Sequence, residues 1–189
     1  MTAAHHAPLP PIELLDRISA GIFAATMAPL FEGAPRFLGR LANARPFGSL
    51  DGLFERARQI AHTMPVGEQL ELVDAHPRLG APPASVSALS FLEQGYDREA
   101  AEAAARDAVA DRDRVAAELD RLNAAYEDRF GFRYCVFVNG RSRAELLPGM
   151  AAALDASRPS EISRAVDAVI DIARDRAARL DSGSREATP

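Results

Sequence analysis

The sequence predicts an all-α protein, a single-domain helical bundle of about seven helices, and three observations carry that expectation. Apolar residues recur at helical spacing through most of the chain. Alanine and charged residues fill the long stretches between turn signals, as in the run from Asp97 to Arg129. One short run alone, Tyr-Cys-Val-Phe-Val at 134–138, is β-branched, aromatic and too brief for a helix, so it is expected to be an extended buried segment.

Each element has its own signal. Pro11 suits the start of a first helix over roughly Ile12–Phe31, with Leu14, Ile18, Ile22 and Met27 as core candidates. Ser49 caps a second helix, roughly Leu50–Thr63, in which Leu53, Phe54 and Ile60 are apolar. A third follows Pro65, carries Leu70, Leu72 and Val73, and must finish near His76, because Pro77 disfavours helical geometry in the residue before it. Residues 80–87, Gly-Ala-Pro-Pro-Ala-Ser-Val-Ser, form a loop. Asp97 opens a long helix that Gly131 stops. Ser142 and Glu145 form a capping box for the next helix, in which Pro148 is expected to cause a kink. Ser160 caps the last, which runs to about Leu180. The core should lie within residues 12–180 of a domain spanning 1–189, with flexible tails at 1–10 and 182–189.

Composition narrows the function classes. The chain has 189 residues, 48% of them hydrophobic and 26% charged, with a net charge of −5. That balance argues against a nucleic-acid partner. A lone cysteine, Cys135, excludes an internal disulfide framework and fits a reducing compartment. No apolar run approaches the ~20 residues of a membrane span, and the N-terminus lacks the pattern of a signal peptide, so a cytoplasmic, non-membrane protein is expected. The four histidines, His5, His6, His62 and His76, show no paired metal-ligand spacing, and there is no glycine-rich phosphate loop. No metal or other cofactor is expected.

Three features could carry chemistry. His76, at a helix C-terminus before a proline, is either a polar helix end that complements the dipole or a general acid–base whose imidazolium the same dipole favours. Ser90-x-x-Glu93 is either a capping box or part of a site, with Gln94 beside it. On the last helix, Ile162, Val166, Val169, Ala173 and Leu180 share one face, and Arg176 falls within about 40° of its centre while Arg164, Arg174 and Arg179 project elsewhere. Arg176 is therefore either an edge residue that snorkels or a guanidinium held in a cavity to receive a carboxylate or ureido oxygen. Cys135 is most simply a small buried hydrophobe.

Taken together, Arg-Pro-Phe-Gly-Ser-Leu-Asp-Gly-Leu (45–53), Glu-Gln-Leu-Glu-Leu-Val-Asp-Ala-His-Pro-Arg-Leu-Gly (68–80), Ser-Phe-Leu-Glu-Gln (90–94), the stretch 122–147 and Ile-Ala-Arg-Asp-Arg-Ala-Ala-Arg-Leu (172–180) resemble the 2-oxo-4-hydroxy-4-carboxy-5-ureidoimidazoline (OHCU) decarboxylases of urate degradation. The resemblance spans roughly residues 12–180. It implies a cofactor-independent, all-α, usually dimeric enzyme that acts on a small molecule and produces (S)-allantoin. Carried over by position, it implies His76, Glu93 and Arg176 as catalytic residues. Pro77, Ser90, Gln94 and the segment Tyr134, Cys135, Val136, Phe137 and Val138 are implied as substrate contacts. Two departures stand out: Gly95-Tyr96-Asp97 follows Gln94 at once, where the family continues into Ala-Gly-Leu, and Pro35-Arg36 replaces the family's Pro-Trp. The altered loop leaves open a related ureido or hydroxy-acid substrate. A helical ligand-binding domain without turnover is a further alternative, one that would have no need of an acid–base pair.

Overall fold

The computed structural model describes residues 8–96 and 106–186. Among them are nine α-helices and no strand. In chain order they are α1 (Ile12–Leu15), α2 (Ala20–Met27), α3 (Pro35–Asn43), α4 (Leu50–Thr63), α5 (Val66–Asp74), α6 (Ala88–Glu93), α7 (Arg106–Phe130), α8 (Arg143–Ala153) and α9 (Arg158–Glu186). Short 3-10 turns occupy Ala28–Leu30 and Pro83–Ser85. The expected start of the long helix at Asp97 lies outside the described residues, as do His5 and His6.

The all-α expectation is met, but several boundaries differ for identifiable reasons. The first helix breaks in two. The Arg45 guanidinium takes the carbonyls of Leu15 and Ile18, at 3.0 and 2.6 Å, and the Asp16 carboxylate accepts the N–H groups of Phe47 and Gly48. Those tertiary bonds replace helical ones, and Ser19 re-caps the chain through the Ile22 N–H. Leu14 and Ile22, expected in the core, are 50% and 59% exposed, whereas Met27 is fully buried. Helix α3, unforeseen, starts at Pro35, whose missing N–H costs nothing there. Ser49 and the Ser142/Glu145 box cap α4 and α8 as expected. Ser157, not Ser160, caps α9, its hydroxyl accepting the Ser160 N–H, and the helix continues to Glu186.

The described residues fall into two compact units, one within Met1–His76 and Val166–Pro189 and the other within Pro77–Ala165. In the first, α2 packs on α3, and α3 on α4 and α5. Phe23, Phe31, Phe37, Leu53 and Leu72 lie in its core, and each such side chain contributes about 2 kcal/mol of hydrophobic stabilisation. Arg58 on α4 bridges Asp167 and Asp171 on the C-terminal part of α9. In the second unit α7 packs on α8, and Tyr126 centres an aromatic cluster with Phe130, Phe132 and Tyr134 at ring separations of 4.6, 5.5 and 5.1 Å. This cluster holds the extended segment against α7. Segment 134–138 is non-helical, with Tyr134, Cys135 and Val138 buried and Val136 and Phe137 half-buried.

Candidate active site

The first unit places His76 and Arg176 in one electrostatic environment. Helix α5 ends because Pro77 cannot follow a helical residue easily, and Ala75 closes it with its N–H on the Glu71 carbonyl. His76 then folds back, its Nδ1 3.2 Å from the Leu72 carbonyl. A carbonyl can only accept, so Nδ1 carries the proton and Nε2 is the acceptor nitrogen of the ring. The side chain is 4% exposed. Burial, aided by the charge on Arg176, lowers its pKa from 6.5 to about 4, against the opposing pull of Glu32 and the Leu72 carbonyl. The imidazole is therefore neutral at pH 7. This replaces the expectation of an imidazolium favoured by the helix end: removal from water outweighs the dipole.

Arg176 is 1% exposed, which removes the snorkelling alternative. Its Nη1 donates to the carbonyls of Pro29 and Leu30 at 3.1 and 3.3 Å, and its Nη2 pairs with Glu32 Oε1 at 2.9 Å. The chain turns tightly to present these acceptors. The Gly33 N–H reaches back to the Ala28 carbonyl, and Glu32 itself has φ 49°, a left-handed conformation that costs a non-glycine residue about 1 kcal/mol. The guanidinium is thus a fixed, ion-paired charge that acts on His76. Sequence reasoning missed Glu32. The signal was indirect: an arginine on a buried stripe demands a carboxylate, and the sequence does not say which one.

In the second unit, α6 carries the Ser-x-x-Glu-Gln group. Its N-cap is Ser87, whose hydroxyl accepts the Ser90 N–H at 3.2 Å, so Ser90 and Glu93 are not a capping box. Both face inward, 1% and 9% exposed. Gln94 closes the helix, and its Oε1 accepts the Gly80 N–H at 2.9 Å, joining α6 to the loop that begins at Pro77. Gly80 is required there: its φ is 80°, and a Cβ would sit 2.6 Å from Leu119 Cδ2. Asn123 on α7 secures the same loop through Nδ2 on the Leu79 carbonyl at 3.0 Å, and Pro77 is half-buried.

The extended segment is held by arginines. Arg164 lies over the Tyr134 ring at 4.6 Å and donates to the Cys135 carbonyl at 2.8 Å. Arg141 donates through Nη2 to the Phe137 carbonyl and through Nε to the Val138 carbonyl. Desolvation raises the Tyr134 pKa, so its hydroxyl stays protonated at neutral pH. No group of three His, Cys, Asp or Glu side chains with metal-binding geometry occurs among the described residues.

The structure thus brings His76 together with Arg176 in one unit, and Gln94 together with the Pro77–Gly80 loop in the other. Ser90, Glu93 and the 134–138 segment also belong to the second unit. A helical chain that buries a neutral imidazole, a paired guanidinium and a carboxylate has the groups that acid–base chemistry on a small polar molecule requires. The OHCU decarboxylase family model matches residues 16–178, and the chain belongs to that family.

The chain is similar to proteins of urate degradation. A 2-oxo-4-hydroxy-4-carboxy-5-ureidoimidazoline decarboxylase of Haloferax volcanii is 27% identical over 178 residues, covering 88% of this chain and 94% of that protein. The uric acid degradation bifunctional protein PucL of Bacillus subtilis is 29% identical over 166 residues, but the chain spans only 32% of its length. The crystal structure of OHCU decarboxylase in the presence of (S)-allantoin superposes with a TM-score of 0.61 at 24% identity, covering 82% of this chain and 96% of that one. That superposition establishes the fold.

Proposed function

We propose that the chain is a cofactor-independent carboxy-lyase that converts OHCU to (S)-allantoin, acting in the cytoplasm as a homodimer. The observation that carries this reading is the neutral, buried His76 beside the fixed charge of Arg176, in a chain of the OHCU decarboxylase family. The substrate's name places a hydroxyl and a carboxylate on one ring carbon. His76 Nε2 accepts the hydroxyl proton while the C–CO₂ bond breaks. The electron pair of that bond delocalises into the ring as an enolate-like intermediate. Arg176 supplies a preorganised positive charge for the oxyanion that develops. The family resemblance carries Gln94, Ser90, Pro77 and the backbone of the 134–138 segment over as further substrate contacts. Glu93, buried on α6, handles the second proton. Delivery to one face of the planar carbon gives one enantiomer.

The test is to generate OHCU freshly from urate, add the protein without metal or cofactor and with a chelator present, and follow optical rotation. Uncatalysed protonation reaches both faces equally and gives a racemate, so a rapid rise of one enantiomer supports the proposal. Racemic product at the uncatalysed rate rejects it.

A further inference from the structure

Beside the 134–138 segment, the first turns of α9 carry a polar cluster built around a buried carboxylate. Glu161 is 3% exposed, and its Oε2 accepts from Arg164 Nε and from the Tyr126 hydroxyl, both at 2.8 Å. Burial and that carboxylate push the Tyr126 pKa up, so the phenol keeps its single proton and gives it to Glu161. The phenol oxygen is in turn reached by Arg164 Nη2 at 3.4 Å. Arg164 is thereby fixed, its guanidinium 4.6 Å over the Tyr134 ring and its Nη1 donating to the Cys135 carbonyl at 2.8 Å.

A carbonyl held in place fixes its neighbour as well. The Cys135–Val136 peptide is planar and trans, so the Val136 N–H points opposite to the Cys135 carbonyl and away from Arg164. Arg141 does the same two residues on: its Nη2 holds the Phe137 carbonyl, which turns the Val138 N–H away from Arg141. Among the described residues neither N–H donates to an acceptor. Val138 is 2% exposed, whereas Val136 is half-buried and within reach of a bound molecule. We propose that Arg164, held by Glu161 and Tyr126, is a positioning residue that aims the Val136 N–H at an oxygen of the substrate's carboxylate or ureido group. The assignment rests on the decarboxylase reading above. The family resemblance implies only that this segment touches substrate; the cluster on α9 supplies the reason that its backbone can do so as a preorganised donor.

Two variants and two readouts test it. Arg164→Lys leaves Glu161 a counter-charge but has no fork that spans Glu161 and the Cys135 carbonyl. Arg164→Met combined with Glu161→Gln removes both charges together, so no buried ion is stranded and the fold does not depend on where a lysine settles. Turnover of OHCU is measured per folded molecule, and the amide NMR signal of Val136 is followed while (S)-allantoin is added. In the wild type the Val136 amide proton should move downfield as (S)-allantoin binds. In both variants that movement should be lost, and kcat/KM should fall roughly 10- to 10²-fold, the cost of a donor that is no longer aimed. A merely structural role for Arg164 would lower the melting temperature while leaving turnover per folded molecule and the Val136 response as in the wild type, and would overturn the proposal. A wild-type Val136 signal that stays still while other amides respond to (S)-allantoin would overturn it without any variant. A wild-type protein that does not turn OHCU over rejects the decarboxylase reading itself, an outcome visible before any variant is compared.

Discussion

Acidification should destabilise this protein through His76. The folded pKa is about 4 and the ordinary value is 6.5. Between those pH values the unfolded chain binds a proton that the folded chain refuses, so stability rises with pH across that window and falls as the solution is acidified. Complete protonation corresponds to about 3 kcal/mol at about 1.4 kcal/mol per pKa unit. Going only from pH 7 to pH 5 already costs about 2 kcal/mol, at a pH where most carboxylates are still ionised. His76→Asn removes the titrating group while keeping a polar residue of similar reach just past the end of α5. Urea unfolding of both proteins at pH 7 and pH 5 gives the assay. The wild type should lose about 2 kcal/mol more than the variant over that interval. Equal losses would mean that His76 is solvated or charged in the folded state, and its reading as a neutral base would fail. At neutral pH the same variant should remain folded and lose roughly 10²–10⁴-fold in turnover, the usual worth of a positioned acid–base group.

Three further outcomes are expected. Arg176→Lys should cut kcat/KM about 10²-fold, nearly as much as Arg176→Ala, because an ammonium cannot span Pro29, Leu30 and Glu32 with a planar fork; steady-state kinetics showing near-normal efficiency would remove Arg176 from the mechanism. Glu32→Gln leaves a buried guanidinium without its counter-charge, so thermal or urea unfolding should show a loss of about 3 kcal/mol, and the His76 pKa, read by NMR titration, should fall further. Glu93→Gln should keep the melting temperature within a few degrees, since Ser87 and not Glu93 belongs to the α6 cap, while turnover falls about 10²-fold; wild-type turnover would show that the carboxylate handles no proton.

What the sequence made legible were features decided within a few residues. Ser49 and Ser142 cap their helices because the bonds involved span three positions. Helix α5 stops just before His76 because a proline follows that residue. Arg176 could be placed on the apolar stripe because periodicity along one helix is a local property, but burial, not periodicity, decides whether its guanidinium snorkels. The failures share the opposite character. The break after α1 depends on Arg45 and Asp16, whose partners lie about thirty positions away in sequence, and no local preference near Asp16 announces it. Ser87 and Ser90 both stand three residues before a possible helical partner, and only burial decides between them: a cap must sit where the helix enters, and Ser90 is 1% exposed inside α6.

The protonation of His76 shows why such distant terms matter for function. A helix C-terminus favours the imidazolium by about 1 kcal/mol, and that is all the local sequence can say. Loss of water and the charge of Arg176, one hundred positions further along the chain, act in the other direction and win. Glu32 limits how far they win, because its carboxylate raises the His76 pKa that Arg176 lowers. The chain therefore accepts a strained left-handed residue at Glu32 to keep a positive charge next to a base without stripping that base of its affinity for a proton. An uncompensated arginine would leave Nε2 too weakly basic to take a hydroxyl proton. An unpaired glutamate in its place would hold the ring protonated. In the proposed mechanism the pair would keep the imidazole neutral and the oxyanion's counter-charge in place at the same pH, and a decarboxylation that begins with proton removal and passes through an oxyanion needs both.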